Sequence, residues 1–413
     1  MTAEAGPAEH SKEHPGELRV STLELFFDLV FVFTLTQLTV LLAHHLTWTS
    51  AGRVLLIFIV LFWMYGAYAH LTNQVPPDRP ARRLLLIAGM ASFLLCALAI
   101  PGAFGDDGVA FGIGYLLVVL VHGALFIQAN GWQTLWFAAP NALGAALIIA
   151  AGATDGTVAD VLWIAAIALQ LLTSRLVLRR ADETTRAEEQ RLGGVRSDHF
   201  VERHGLLLIV AFGESVIAIG VGLEELPLDA GTITATLLGL ALAAGLWWAY
   251  FVRDEDAAEE RLAAAGPQER FRLSINAYFY SFIPMLLGIV CLAAGVKKSL
   301  GHLFEHLHTG PAVALAGGVA LYLAGDAAFR TVLGIRPRAG RAAAAAVALA
   351  TVPLGTQVNA AVQLIALVAV IVALLAIEYR LAPCPTSEAP EATEEPGTSE
   401  ATETPEPPTT PKA

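Results

Sequence analysis

Long apolar runs broken by short polar stretches dominate this 413-residue chain. Twelve of them reach the roughly 17–25 residues that a helix needs to cross ~30 Å of hydrocarbon. They lie at about 24–44, 52–72, 83–103, 108–128, 132–153, 158–178, 204–223, 231–252, 272–294, 311–332, 340–356 and 359–380. Only Thr356 to Val358 separates the last two, so eleven spans, or one long hairpin at that place, satisfy the same pattern. Lipid offers backbone groups no hydrogen-bond partners, so the runs are expected to be helices. The sustained period-two alternation of a membrane barrel is absent. The expected fold is all-α, a polytopic transmembrane bundle of about twelve spans.

The polar stretches orient that bundle. Those following even-numbered spans hold 17 arginines, from Arg79, Arg82 and Arg83 to Arg330, Arg336, Arg338 and Arg341. Those following odd-numbered spans hold only Arg53, Lys297 and Lys298 and are otherwise acidic, with Asp106, Asp107, Asp155, Glu224, Glu225 and Asp229. The positive-inside rule then puts both termini in the cytoplasm of a cell whose membrane the chain crosses many times. Residues 1–23 read as a cytoplasmic tail too polar for a signal peptide. Residues 24–180 read as a first six-helix half, 181–203 as a charged cytoplasmic loop and 204–380 as a second half. The Pro-, Glu- and Thr-rich residues 381–413 read as a disordered cytoplasmic tail. Trp63-x-Tyr65 in the second span recurs as Trp248-x-Tyr250 in the eighth, and Pro140 and Pro353 interrupt the fifth and eleventh. Two parallel halves are one explanation of these matches, and chance is the other.

Composition narrows the classes. Hydrophobic residues make up 55% and charged residues 15%, where a soluble domain has roughly 25% charged; mean hydropathy is +0.60. The net charge is −12, but eleven acids and three bases lie in the two tails, which leaves 26 acids and 22 bases in between. That balance excludes a polybasic nucleic-acid binder. Cys96, Cys291 and Cys384 are too scattered for a disulfide framework or a zinc module. No GxxxxGK[ST], GxSxG or HExxH occurs, so no ATP motor and neither of those hydrolase patterns is encoded. No cofactor and no metal are expected.

Candidate chemistry rests on ionisable groups within spans, which cost about 2.5–3.5 kcal/mol each on insertion scales. Glu24 and Asp28 stand i,i+4 on one face of the first span. They suit proton or cation binding, or a helix cap with an ion pair to an arginine of another helix. The seventh span opens with His199, Glu202, Arg203 and His204 and carries Glu214 and Ser215 near its middle. At about 100° per residue, Arg203 and Glu214 fall within about 20° of each other and about 16 Å apart along the axis. A carboxylate at the midplane suits proton coupling, or a neutral hydrogen bond between helices. Gly205, Gly213, Gly220 and Gly222 would let another helix approach the same span. His199 and Glu202 have metal-ligand spacing, but Arg203 would repel a cation there. Gly301 to His308 reads as a short amphipathic interfacial helix rather than as a zinc site. Asp326, expected to pair with Arg330 at i,i+4, and Asn141 and Asn276 are secondary candidates.

Two segments resemble the bacterial low temperature requirement A (LtrA) family. They are Leu23-Glu24-Leu25-Phe26-Phe27-Asp28-Leu29-Val30-Phe31-Val32-Phe33, and His199-x-x-Glu202-Arg203-x-Gly205-Leu206 followed by Gly213-Glu214-Ser215. The likeness extends over about 24–380. It departs at Thr22, where the family pattern leads one to expect proline, which bears only on how the first helix begins. The resemblance implies a bacterial inner-membrane protein connected with growth in the cold, and it carries over no catalytic role. Many spans, buried acids and no ATP motif favour a proton- or cation-coupled secondary transporter or permease for an unidentified small solute. Its coupling set would be Glu24, Asp28, Glu202, Arg203, Glu214 and Ser215. A membrane sensor or scaffold for cold or membrane stress, and a membrane-embedded enzyme acting on lipid, are the alternatives.

Overall fold

The computed structural model describes residues 20–131, 135–192, 195–223 and 227–381, and among them it is helical throughout, with no strand. The first six helices are α1 (Thr22–His44), α2 (Trp48–Gln74), α3 (Pro80–Ala99), α4 (Gly108–Asn130), α5 (Leu135–Gly152) and α6 (Gly156–Leu192). They are followed by α7 (Ser197–Gly222), α8 (Ala230–Phe251), α9 (Asp254–Ala264) and α10 (Pro267–Ser274). A π-helical turn (Ile275–Tyr280) then leads into α11 (Phe282–Ser299), α12 (Thr309–Leu333), α13 (Ala339–Leu349), α14 (Val352–Gln357) and α15 (Ala360–Leu381). Among the described residues, eleven stretches are long and apolar enough to cross a membrane, and Ala138–Gly152 of α5 adds a shorter apolar helix. The protein is therefore a polytopic membrane helical bundle of roughly a dozen spans.

The outer faces show the solvent they were selected for. Leu84, Leu98, Val158, Val161, Ile365 and Val372 are all exposed, as suits a surface facing acyl chains rather than water. Inside, Phe27, Phe31, Phe62, Tyr65 and Phe93 of α1, α2 and α3 stack at centroid distances of 4.4–6.1 Å. Helices α11 and α12 pack closely, and glycine is the reason. A Cβ on Gly288 would stand 2.6 Å from the Tyr322 backbone nitrogen, and one on Gly318 would stand 2.5 Å from that of Leu292. In lipid such close backbone approach supplies the packing that the hydrophobic effect does not.

Three local expectations change, and one open alternative is settled. Residues 181–192 continue α6 as helix, because Ala, Glu and Arg are strong helix formers and no breaker occurs before Gly193. The last two apolar runs are separate: Pro353 opens α14, and the Asn359 side chain accepts from the Val362 N–H at 2.9 Å to start α15. Gly301–His308 forms turns rather than a helix. Gly301 takes φ 77°, and the segment hydrogen-bonds across to Gly355 of α14 and to Ala360 and Ala361 at the head of α15. On α7, Gly213 and Gly220 meet nothing within 4 Å, so they do not seat a neighbouring helix, whereas Gly205 makes room for the Glu255 carboxylate of α9.

Candidate functional site

Helix α1 starts with a capping box. Ser21 accepts from the Glu24 N–H at 3.3 Å, and the Glu24 carboxylate receives the Ser21 N–H at 3.0 Å and its hydroxyl at 2.8 Å. The box holds Glu24 against the first turns of α7. There Arg203 donates through Nη1 to Glu24 Oε1 and through Nη2 to Asp28 Oδ1, each at 3.2 Å. Nη1 also reaches the Thr72 hydroxyl of α2, and the guanidinium carbon lies 5.8 Å from the ring centroids of both Phe27 and Tyr65. Tyr65 donates its hydroxyl to Asp28 Oδ1 at 3.0 Å. Glu24, Asp28 and Arg203 are each 0–2% exposed, so one guanidinium ties α1, α2 and α7 together inside the bundle.

His199 completes the cluster, held from both sides by Asn73 and Glu24. Asn73 Oδ1 accepts from the Arg196 N–H at 3.0 Å, and its amide nitrogen donates to the Arg196 carbonyl at 3.1 Å. The same amide nitrogen faces His199 Nδ1 at 3.2 Å. An amide nitrogen only donates and a carboxylate only accepts, so Nδ1 faces a donor while Nε2 donates to Glu24 Oε2 at 3.2 Å. The cluster then holds two carboxylates against one guanidinium. Asp28 Oδ2 and Arg203 Nε are buried with no hydrogen-bond partner. A purely structural network would be expected to satisfy both.

The remaining sequence candidates divide. Glu214 sits deeper on α7, beside the Thr36 hydroxyl of α1, is 8% exposed and keeps Oε1 unpartnered. The helical stripe anticipated for Arg203 and Glu214 is thus the stripe that faces α1. Ser215 spends its hydroxyl on the Phe212 carbonyl of its own helix, and Glu202 accepts the Val20 N–H at 3.2 Å outside the cluster. His204 donates Nδ1–H to the Phe200 carbonyl and is packed among Phe200, Tyr278 and Phe282. Asn141 accepts from the Trp63 indole at 3.0 Å. The Asn276 carbonyl takes both the N–H and the hydroxyl of Ser281 in the π turn. Asp326 does not pair with Arg330 as its spacing suggested: its carboxylate bonds Arg341 of α13, while Arg330 turns to Asp254 and Glu378. The sequence reading missed Tyr65, Thr72 and Asn73 as site residues; Tyr65 stood out only in the Trp63-x-Tyr65 recurrence, and Asn73 is a polar group ending an apolar run.

Beside the cluster lies a cavity of about 140 Å³ lined by Trp63, His70, Phe200, His204, Tyr278 and Phe279. Tyr278 and Phe279 belong to the π turn, a helix defect frequent at functional positions. Tyr65 connects cavity to cluster, with its ring 6.5 Å from His204 and its hydroxyl on Asp28. Among the described residues, no group of three or more His, Cys, Asp or Glu is placed to hold a metal ion.

A dozen apolar helices closed around buried, incompletely paired charge define a multi-pass α-helical membrane protein. The chain belongs to the bacterial low temperature requirement A (LtrA) family: residues 19–376 match the family described as "Bacterial low temperature requirement A protein (LtrA)". It is also similar to the Uncharacterized protein RA0937 of Rhizobium meliloti (strain 1021), at 25% identity over 330 residues, 76% of this chain and 78% of that protein.

Proposed function

We propose that the protein is a proton-coupled secondary transporter, or permease, of the bacterial inner membrane. Its termini and the Glu24–Arg203 cluster lie on the cytoplasmic side, where the arginine-rich stretches belong. One observation carries the reading: two buried carboxylate oxygens on the α1–α7 interface, Asp28 Oδ2 and Glu214 Oε1, have no partner. An unpartnered carboxylate in a low-dielectric interior is a place for a proton. Here two such places stand at different depths along one helix pair. Phe31, Leu35, Leu207 and Leu208 are fully buried between those depths, together with the Thr34 hydroxyl. Transfer would follow a change in how α7 meets α1, with Arg203 releasing one acid as that acid takes a proton. The aromatic cavity beside the cluster suits a small organic solute with an apolar or π face.

The test uses protein reconstituted into liposomes that enclose a pH-sensitive dye, with a panel of small organic solutes added outside. The reading expects at least one solute to drive internal pH change in the wild type. Asp28→Asn and Glu214→Gln, reconstituted at matched levels, should abolish it. If solute enters while internal pH stays constant, or if both variants retain the full response, proton coupling by these residues is wrong.

A further inference from the structure

A second buried ionic cluster, which the coupling scheme does not use, joins the last helices. Glu378 of α15 lies in the forks of two arginines. It accepts from Arg330 at 3.1 and 3.2 Å, and from Arg341 at 2.9 and 3.0 Å. Arg330 also gives Nε–H to Asp254 Oδ2 at 2.8 Å and donates to the Pro337 carbonyl. Arg341 bonds Asp326 Oδ2, gives Nη2–H to the Ala249 carbonyl at 2.8 Å and stands 3.8 Å from Asp254 Oδ2. All five residues are at most 4% exposed. Helices α8, α9, α12, α13 and α15 therefore meet at this one place.

The donors do not cover the acceptors. Three carboxyl groups face two guanidinium groups. Asp254 Oδ2 and Asp326 Oδ2 both lie against Arg341, and the two carboxyl groups are in hydrogen-bonding contact. Their remaining oxygens, Asp254 Oδ1 and Asp326 Oδ1, are buried and have no partner. Tyr322 of α12 and Tyr278 of the π turn also face the pair, with Tyr250 of α8 next to those two tyrosines. None of these hydroxyls bonds either oxygen. Two adjacent carboxylates that both ionise in such a place repel each other, whereas one proton between them supplies the missing donor and balances two acids against two arginines.

We propose that Asp254 and Asp326 share one proton, so that this cluster is a proton-binding site separate from the α1–α7 acids. Its occupancy holds α9, α12, α13 and α15 together. The test compares purified wild type with Asp326→Asn and Asp254→Asn in lipid nanodiscs at neutral pH. The infrared signal of a protonated carboxyl group and the thermal unfolding temperature are both recorded. Asparagine has the shape of a protonated aspartic acid and can donate to the remaining carboxylate. The proposal therefore expects a protonated-carboxyl signal in the wild type that either variant removes. It also expects at least one variant to unfold near the wild-type temperature, while Asp326→Leu unfolds well below it. Asp28→Asn and Glu214→Gln should leave the assigned signal in place, which separates this site from the transport reading. If neither amide variant changes the signal, or if both unfold as early as Asp326→Leu, the carboxylates are both ionised and the proposal is overturned.

Discussion

Replacing Arg203 by methionine tests what holds α1 to α7. The methionine fills most of the arginine volume, so packing changes little, but the one cation facing both Glu24 and Asp28 is gone. Both acids are at most 2% exposed, and Arg203 is the guanidinium paired with each of them, so its loss leaves their charge unbalanced. Removing one partner of a buried ion pair costs about 3–5 kcal/mol. Protonation of one orphaned acid keeps the expected loss within that range. Asp28→Asn should behave oppositely. It leaves Glu24 and Arg203 matched one to one and keeps an oxygen to accept the Tyr65 hydroxyl, so its cost should be under about 1 kcal/mol. Combining the two changes should recover about 1–3 kcal/mol of the Arg203→Met loss, since contacting residues in one network couple by that much. The assay is equilibrium unfolding in mixed micelles, followed by tryptophan fluorescence. The reasoning fails if Arg203→Met lies within ~1 kcal/mol of wild type, or if Asp28→Asn costs as much as Arg203→Met.

Other outcomes follow from individual contacts. Tyr65→Phe removes the hydroxyl that Asp28 Oδ1 accepts and should cost about 1–3 kcal/mol in the same unfolding assay, the usual result of withdrawing a donor from a buried carboxylate. Gly318→Leu cannot fit against the Leu292 backbone. It should push α12 off α11 and lower stability by at least about 1–3 kcal/mol, read as a fall in unfolding temperature, whereas Gly317→Leu, which meets nothing within 4 Å, should be tolerated. Asp229 caps α8 by accepting the Thr232 N–H at 2.7 Å, and that bond holds its carboxyl below the usual aspartate range. The cap's contribution is therefore fully present above the ordinary aspartate range and is lost as pH falls through the lowered folded-state value. Asp229→Asn should keep the cap and flatten that acid limb of the stability curve.

The spans were legible because twenty consecutive apolar residues admit few structures in lipid. The motif acids were legible for a related reason: a charge inside such a run stands out against it. Spacing on one helix also placed Arg203 and Glu214 on a common stripe, and that stripe does face α1. Partnership was what spacing could not supply. Asp326 and Arg330 stand i,i+4 in the favourable order, yet each is claimed by a group distant in sequence, Arg341 for the one and Asp254 and Glu378 for the other. Side chains that close a buried charge set are chosen by the fold, and helical periodicity carries no record of them. Glu378 was visible in principle, as an acid inside the last apolar run. Asp254 follows the α8 run directly and looks like any rim residue. The π turn at Ile275–Tyr280 left no mark in composition, although it shapes the wall of the cavity.

The account's central claim is that the buried acids of the α1–α7 interface exchange a proton with solution. It can be measured without knowing the solute. Proteoliposomes adsorbed on a solid-supported membrane are exposed to a rapid pH jump, and the charge displaced within the protein is recorded as a transient current. The account predicts a transient in the wild type that is lost in the double variant Asp28→Asn/Glu214→Gln and retained in the lipid-facing control Val161→Leu. A double variant that displaces as much charge as the wild type would contradict it.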